Sequence, residues 1–333
     1  MEDQAQGFLP GHLVGFLTPR QVKRPLPDTE GMNLVKLVDD FHSEGACRKF
    51  LEGLRWPDGV RCPRCNGATI SRIVERDQFD CDSCRYQFSV TAGTIFNDTH
   101  LPLWKWFMAV YLIGESKKGI SANQLKRTLG VNYRTAWYLS HRIRAAMISD
   151  LEPLLGTVEV DSTWIGGKPR HPAAVDAYGH RKRGPRPGRK ASVAGAVARG
   201  GAIRLRVQRE GMTMRDFIGK AIADKAPAIY TDEWAGYQKL GDADTKHESV
   251  NHHAYEWVRG DVHTNTIESA WSLLKRSIIG SYHHLSVKHF DSYLDEFEWR
   301  YNNRRNDFLF RETMLALLRA EKMPYKELIE RPA

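Results

Sequence analysis

The strictest local constraint on this chain comes from four cysteines in two Cys-x-x-Cys pairs. They are Cys62-Pro-Arg-Cys65 and Cys81-Asp-Ser-Cys84, with fifteen residues between the pairs. Each pair closes a tight turn that aims two thiolates at one point, and two such turns make a tetrahedral sulfur site of zinc-ribbon spacing. Four thiolates leave no open coordination position, so one structural Zn²⁺ is expected rather than a catalytic one. The segment between the pairs, residues 69–79, is expected to form a short hairpin arm. No βαβ pattern surrounds the pairs, which argues against a redox dithiol. The fifth cysteine, Cys47, stands alone, so the set is not a disulfide framework. Arg61, Arg64, Arg72, Arg76 and Arg85 give the ribbon a basic surface that favours DNA, although ribbons also bind protein.

The formal charge of the 333-residue chain is +9, from 49 Lys and Arg against 40 Asp and Glu. That excess fits a polyanionic partner, most simply nucleic acid. No apolar stretch reaches the ~18–20 residues of a membrane helix. The N-terminus has apolar residues but lacks a basic start followed by a continuous apolar run, so no signal peptide and no membrane partner are expected. Cytoplasmic residence is the expectation.

The chain is long enough for two or three domains. Residues 1–32 show no periodicity and read as a loose arm. Residues 33–54 read as helical, and with the ribbon they form a unit at 33–92. Residues 93–150 read as helical. An apolar helix over 101–116 is rich in core aromatics. A short helix from about Ser121 to Leu129 stops at Gly130, a suitable cap, and Asn132 caps a second helix running to about Met147. The second helix has the apolar face Ala136, Leu139, Ile143. The rest of its surface carries Tyr133, Arg134, Tyr138, His141, Arg142 and Arg144. This is a helix-turn-helix pattern, and Tyr133, Arg134, Tyr138 and Arg142 are its candidate DNA contacts. An ordinary helical hairpin with a solvated basic face is the alternative.

From Gly156 the texture changes. Strands are expected at 157–161, 191–198, 203–208, 228–232 and 249–252, with a helix over 213–223. Two long helices follow at about 264–279 and 287–303, and a short one lies near 313–321. The order strand, hairpin, helix, strand, strand, helix is that of an α/β RNase H-like domain, a mixed sheet flanked by helices, over 151–305. A helical tail, 306–333, ends the chain. Residues 168–190 form a basic Pro/Gly insertion loop, whose Lys182, Arg183, Arg186 and Arg189 are further candidate DNA contacts.

Three acids stand in order within that domain: Asp161 and Asp232, each closing a strand, and Glu268 on a helix, with thirty-five residues between it and Asp232. In the expected fold the first strand lies centrally and the strand after the helix pairs beside it, bringing Asp161 and Asp232 together. At about 100° per residue, Asn265, Glu268, Ser272 and Lys275 form one polar stripe on their helix. Ile267, Ala270, Trp271, Leu274 and Ile278 form the adjacent apolar stripe. Hard oxygen ligands suit Mg²⁺ or Mn²⁺, and a pair of such ions about 4 Å apart serves phosphodiester chemistry. Lys275 can hold a phosphate as a point charge. Glu159 shares the strand parity of Asp161 and competes with it, whereas Glu233 points opposite to Asp232. His252, His253, His263, His283 and His284 suggest either a second metal site or, more simply, phosphate contacts and helix ends.

Longer runs carry a resemblance. Arg55-Trp-Pro-Asp-Gly precedes the first Cys pair, and Val160-Asp161-Ser-Thr-Trp-Ile-Gly-Gly-Lys168 follows the helical region. Tyr230-Thr-Asp232-Glu-Trp-Ala-Gly-Tyr237, His263-Thr-Asn-Thr-Ile-Glu268-Ser-Ala-Trp-Ser-Leu-Leu-Lys-Arg276, Tyr282-His-His and Asp295-Glu-Phe … Arg300-Tyr-Asn-Asn-Arg304 complete the set. Over roughly residues 35–315 the chain resembles bacterial insertion-sequence transposases with an N-terminal zinc ribbon and a DDE-type catalytic domain. The resemblance implies binding of terminal inverted repeats in double-stranded DNA, Mg²⁺-dependent strand cleavage, and transfer of the 3′-hydroxyl into target DNA. It also implies a homodimer or larger synaptic complex, and a nucleoid-associated protein. The acidic triad maps onto Asp161, Asp232 and Glu268. Some relatives place Asn near the third position with a following Lys, which keeps Asn265 and Lys275 in the candidate set. A transposase-derived regulator without catalysis and an RNase H-like, structure-specific nuclease are the competing classes.

Overall fold

The computed structural model describes residues 28–148, 152–166, 190–237, 240, 245–283 and 285–330. Its N-terminal part begins with α1 (Leu34–Asp40) and α2 (Glu44–Arg55), capped by Asn33 and Ser43. One helix was expected here; the chain instead breaks at Phe41, because Ser43 offers its side chain to the Ala46 N–H and starts a new helix. The ribbon follows as an antiparallel sheet of β1 (Ile70–Ile73), β2 (Gln78–Cys81) and β3 (Gln87–Phe88). Then come α3 (Leu103–Glu115), α4 (Ala122–Leu129) and α5 (Tyr133–Ala146). Gly130 caps α4 at φ +61°, a conformation only glycine adopts freely, and the Asn132 side chain accepts from the Thr135 N–H to start α5.

The second unit is a five-stranded mixed sheet in the order β6-β5-β4-β7-β8. Its strands are β4 (Thr157–Ile165), β5 (Ala191–Ala198), β6 (Ile203–Val207), β7 (Ala228–Thr231) and β8 (Lys246–Ser249). β4 runs antiparallel to β5 and parallel to β7, which is parallel to β8. This is the RNase H-like arrangement read from the element order, with the first strand central. One face packs on α6 (Met214–Ala221) through Val158, Val160, Ala194 and Ala196. The other packs on α7 (Asn265–Ser277) and α8 (Phe290–Asn302) through Val193, Val197 and Leu205.

Two strand expectations needed correction. β4 does not stop at Asp161 but pairs with β5 through Ile165, although its pairing with β7 ends at Glu159. Asp161 therefore sits inside a strand yet just beyond the reach of its parallel neighbour. The last strand lies at 246–249, not 249–252; it is a polar edge strand, and residues 252–254 form a 3₁₀ turn.

The C-terminal helices α9 (Leu309–Arg319) and α10 (Tyr325–Glu330) return to the N-terminal part. Phe310, Met314, Leu317 and Leu328 share one core with Phe41, Phe50, Phe107, Leu139 and Ile143. Helix α5 is thus enclosed, and a buried ion pair joins it to α8: Arg144 Nε lies 2.6 Å from Glu296 Oε2. Tyr282 Oη donates to Glu296 Oε1 at 2.6 Å, and Arg300 Nε stands 3.2 Å from the same oxygen.

Candidate active site and metal centre

The four cysteine thiols converge. All lie within 4.8 Å of one another, with Cys62 and Cys84 sulfurs 3.6 Å apart and Cys65 and Cys81 sulfurs 3.5 Å apart. A tetrahedral site with Zn–S bonds of about 2.3 Å needs sulfurs about 3.8 Å apart, so the cluster is consistent with structural zinc. The two turns are copies of each other. Asn66 N–H donates to Cys62 O and Arg85 N–H donates to Cys81 O, with Asn66 and Arg85 both at positive φ. Beneath them the fully buried apolar set is small, Phe79 and Phe88 with Cys62 and Cys81, the kind of core that a structural metal commonly supplements. Cys47 lies in the helical core, where burial pushes its thiol up to about 12.

The acidic cleft lies on the α7 face of the sheet, a concavity of about 540 Å³ lined by Asp161, Thr163, Asp232, His252, Trp257, Thr264, Glu268, Trp271, Ser272 and Lys275. All three acids of the expected triad and Lys275 are among these. Asn265, the first residue of α7, is exposed and not among the lining residues.

Each acid is held by its neighbours. Asp161 faces α7 because β4 alternates, and Trp271 Nε1–H donates to its Oδ2 at 2.9 Å while the Ser162 N–H donates to Oδ1 at 2.7 Å. The indole can lie there because Gly195, paired with Asp161 on β5, has no side chain: a Cβ would meet the Trp271 ring at 2.5 Å. Burial, with the charges of Asp232 and Glu268 adding to it, lifts the Asp161 pKa to about 6. Asp232 follows the end of β7, and its Oδ1 accepts from the Trp234 N–H at 3.1 Å. Burial raises its pKa too, against the pull of that N–H and of His252. Glu268 Oε1 accepts from the Thr264 hydroxyl at 2.9 Å and lies 3.8 Å from His252 Nε2. Beneath the cleft, burial and both aspartates push the Tyr237 phenol up.

Glu159 and Glu233 do not line the cleft. Glu159 points toward α7, as its parity requires, but its oxygens are taken by Arg199, Thr266 and Ile267. Glu233 turns away from Asp232 and accepts from the N–H groups of His252 and His253 at 2.9 and 3.3 Å. The histidines are spread out: His252 in the cleft, His253 beside Glu233, His263 beside Glu159, and His283 on the Ile279 carbonyl. His284 lies outside the described residues. Among the described residues the four cysteines are the one group of three or more candidate ligands with all donor atoms within 4.8 Å.

The places of Trp271 and Thr163 in the cleft were missed. Period-two parity from Asp161 would have flagged Thr163, and the three-residue step from Glu268 would have flagged Trp271. His252 was among the candidate histidines, but no local signal places it beside Glu268.

The helix-turn-helix surface is smaller than its sequence suggests. Arg142 is 5 % exposed and donates to the carbonyls of Ile95 and Asn97, so it is not groove-facing. His141 and Arg144 are buried as well. Tyr138 donates its hydroxyl to the Met323 carbonyl. The causes are tertiary: α8 covers His141 and Arg144, the segment leading to α10 covers Tyr138, and Arg142 turns onto the 95–97 segment and the Trp106 ring. Tyr133, 49 % exposed, and Arg134, which lies over the Tyr325 ring, remain on the surface at the helix N-terminus. Lys182, Arg183, Arg186 and Arg189 lie outside the described residues, as does the insertion loop up to residue 189. Among the described residues no helix is long and apolar enough to cross a membrane.

Comparison with known proteins gives matches to both units in the same order. Residues 42–87 match the transposase zinc-ribbon domain, and residues 153–302 match the ISXO2-like transposase domain. An uncharacterized protein in transposable element ISH50 of Halobacterium salinarum is 30% identical over 251 residues, 72% of this chain and 84% of that protein. An uncharacterized transposase-like protein of Haemophilus influenzae is 31% identical over 75 residues, 22% of this chain and 59% of that protein. These relatives include an archaeal and a bacterial protein, so the bacterial source implied by the resemblance is not carried further. Crystal structures of a pre-cleavage Mos1 transpososome and of the Mos1 strand transfer complex align at 13% and 12% identity. Both cover 64% of this chain, and 75% and 74% of those chains, with a TM-score of 0.26, too low to bear on the fold. With both domain matches in order and a relative aligned over most of its own length, this chain belongs to the ISXO2-like transposases, a zinc ribbon joined to a DDE domain that performs phosphoryl transfer on DNA.

Proposed function

We propose that the protein binds the terminal inverted repeats of an insertion sequence, cleaves a strand at the element end and transfers the 3′-hydroxyl into target DNA. The observation that carries this reading is the joint lining of one cleft by Asp161, Asp232, Glu268 and Lys275. The donor set is all hard carboxylate oxygen, which suits Mg²⁺ or Mn²⁺. Bound there, a pair of such ions would supply charge neutralisation at the attacking and leaving oxygens of a phosphodiester.

The residues divide the work by position. Asp161, held by Trp271 and Ser162, would hold the cations together with Asp232 and Glu268. Lys275, two turns beyond Glu268 on α7, holds a phosphate oxygen by charge. Trp271 keeps the Asp161 carboxylate in one rotamer, so it is set before substrate arrives. Tyr133 and Arg134 at the start of α5 contact the groove, because a recognition helix presents its N-terminal residues. Lys182, Arg183, Arg186 and Arg189 hold phosphates from the insertion loop. The protein acts as a homodimer or larger assembly that pairs two ends.

The test uses labelled duplexes carrying the element's own ends, with Mg²⁺ and a target plasmid. Cleavage and strand transfer are expected for the wild type, and neither for Asp161→Ala, Asp232→Ala or Glu268→Ala. An Asp161→Ala protein that still joins strands would sink the assignment. Cleavage of branched DNA without any preference for the terminal repeats would favour a structure-specific nuclease. Specific binding with no cleavage under any divalent cation would favour a regulator.

A further inference from the structure

Strand β4 places Glu159, Asp161 and Thr163 on its α7 side. Asp161 and Thr163 line the cleft, whereas Glu159 is 0 % exposed beneath the start of α7. A carboxylate buried that completely is very costly unless it is paired and hydrogen-bonded. Glu159 is both. Its Oε1 accepts from Arg199 Nε at 2.8 Å and from the Thr266 hydroxyl at 2.9 Å, with His263 Nδ1 at 3.3 Å. Its Oε2 accepts from the backbone N–H groups of Thr266 and Ile267 at 2.7 and 3.1 Å.

Those two N–H groups belong to the first turn of α7, where helical donors have no partner within the helix. The usual source of a partner is the residue just before the helix. Here Thr264 makes no such bond; its hydroxyl goes to Glu268 instead. The cap of α7 is therefore supplied by the strand that carries Asp161, and the helix dipole favours a negative group at that end. The arrangement leaves Thr264 free to orient Glu268.

Arg199 extends the tie to the third element. It follows the end of β5, donates Nη2–H to the His263 carbonyl at 3.2 Å, and lies 4.9 Å from the ring centre of Tyr230. Tyr230 is on β7, two residues before Asp232. One ionic contact thus joins the strand of Asp161, the strand of Asp232 and the helix of Glu268.

We infer that Glu159, braced by Arg199, is a positioning residue that sets the distance of Glu268 from Asp161 and thereby the affinity of the cleft for a divalent cation. The inference rests on the proposed role of Asp161, Asp232 and Glu268 as the cation-holding set. Glu159 does not hold the ion itself, since both its oxygens are committed to protein donors. In Glu159→Gln the amide turns either its NH₂ toward the Arg199 Nε–H or its NH₂ toward the helix N–H groups, and each choice opposes donor to donor. In Arg199→Lys the charge stays, but the fork that reaches both Glu159 and the His263 carbonyl is lost.

The test measures Mn²⁺ binding to the full-length, zinc-loaded protein by electron paramagnetic resonance, without DNA and without turnover. Asp161→Ala serves as the reference, and circular dichroism reports folding of each variant. Groups that orient metal ligands from behind typically change affinity 10–100-fold when removed. Glu159→Gln and Arg199→Lys are each expected to weaken Mn²⁺ binding by about 10–100-fold while binding terminal-repeat DNA as the wild type does. The double variant is expected to be no weaker than the worse single one, because the two residues act as a unit. Should Glu159→Gln fail to fold, Arg199→Lys decides, since that side chain is partly exposed. If Asp161→Ala loses the Mn²⁺ site but folded Arg199→Lys and Glu159→Gln bind within twofold of wild type, the positioning role is overturned. If Asp161→Ala itself binds Mn²⁺ like the wild type, it is the assignment of the acidic cleft that fails.

Discussion

Asp161 should make the cation-free protein less stable at neutral pH than at acidic pH, and replacing it should remove that dependence. Burial, with Asp232 and Glu268 nearby, raises its pKa from 3.8 to about 6. The folded protein then holds this proton more tightly than the unfolded chain does. The stabilisation is fully present below pH 3.8 and falls as pH rises, until it is gone above about pH 6. A difference of about two pKa units corresponds to about 3 kcal/mol, and about 2 kcal/mol of it falls between pH 4.5 and 7.5. Asn cannot titrate, so the unfolding free energy of Asp161→Asn minus that of wild type should climb by about 2 kcal/mol over this range. Any fixed cost, such as the Asn amide facing the Trp271 N–H, shifts the difference equally at every pH. The assay is urea unfolding of zinc-loaded protein dialysed free of Mg²⁺ and Mn²⁺, run as a pH series on both proteins. Adding Mn²⁺ at pH 7.5 should then stabilise the wild type and leave the variant unchanged. A difference that stays flat with pH, or that falls, would refute the claim that Asp161 is a buried carboxylate kept from ionising by its surroundings.

Gly195→Ala should displace the Trp271 ring, which would lie 2.5 Å from the new Cβ; cleavage should fall about 10–100-fold, and wild-type rates would show that the indole does not set Asp161. Glu296→Gln should cost about 3–5 kcal/mol in urea unfolding, because Arg144 is left buried against a neutral partner; a loss below about 1 kcal/mol would contradict a buried pair. Zinc analysis should find about one ion per chain. Stripping that ion should open residues 56–92 to proteolysis while the sheet unit stays resistant, and equal protection with and without zinc would argue against a metal-held ribbon.

Much of this fold is written in local chemistry. Asn33, Ser43, Ser121, Asn132 and Thr213 each accept from a first-turn N–H as helix caps, and such caps can be read from a few residues. The Cys spacing names its own turns. The sheet order follows from the succession of elements, because few connections are sterically open. The second helix of the helix-turn-helix shows where this stops. His141, Arg142 and Arg144 look like a solvated basic face in any short window. His141 and Arg144 are buried because Tyr293 and Glu296, some 150 residues further along the chain, cover them, and Arg142 because it turns back onto Trp106 and the 95–97 carbonyls, some 36 to 47 residues earlier. β8 was displaced for a related reason: an edge strand of Lys246-His-Glu-Ser carries no apolar alternation to reveal it.

The acidic site was legible in its identities but not in its support. Spacing and helix angle bring Asp161, Asp232, Glu268 and Lys275 to one cleft. Nothing local shows that Trp271 reaches Asp161, because that contact needs a glycine on a different strand. Glu159 illustrates the same limit. Its parity with Asp161 made it a rival ligand on sequence grounds, and only the arrival of α7 and Arg199 shows that its oxygens are already used.

The alternation of β4 ties the chemistry to the stability of the domain. Val158 and Val160 point into the α6 core, while Glu159, Asp161 and Thr163 point toward α7. A slip of one residue would put two valines in the cleft and two acids in the core, so the register is held by both faces at once. Gly195 beneath Trp271 fixes it further, because only the residue paired with Asp161 can leave room for the ring. Asp161 is therefore the most firmly held of the three proposed cation-holding acids. Asp232 follows the end of its strand on a turn whose next residue, Glu233, is spent on the 252–254 segment, and Glu268 projects from a helix surface with its rotamer set by Thr264. Any adjustment on binding a cation must fall on those two, since moving Asp161 would break a strand pairing and an indole hydrogen bond together.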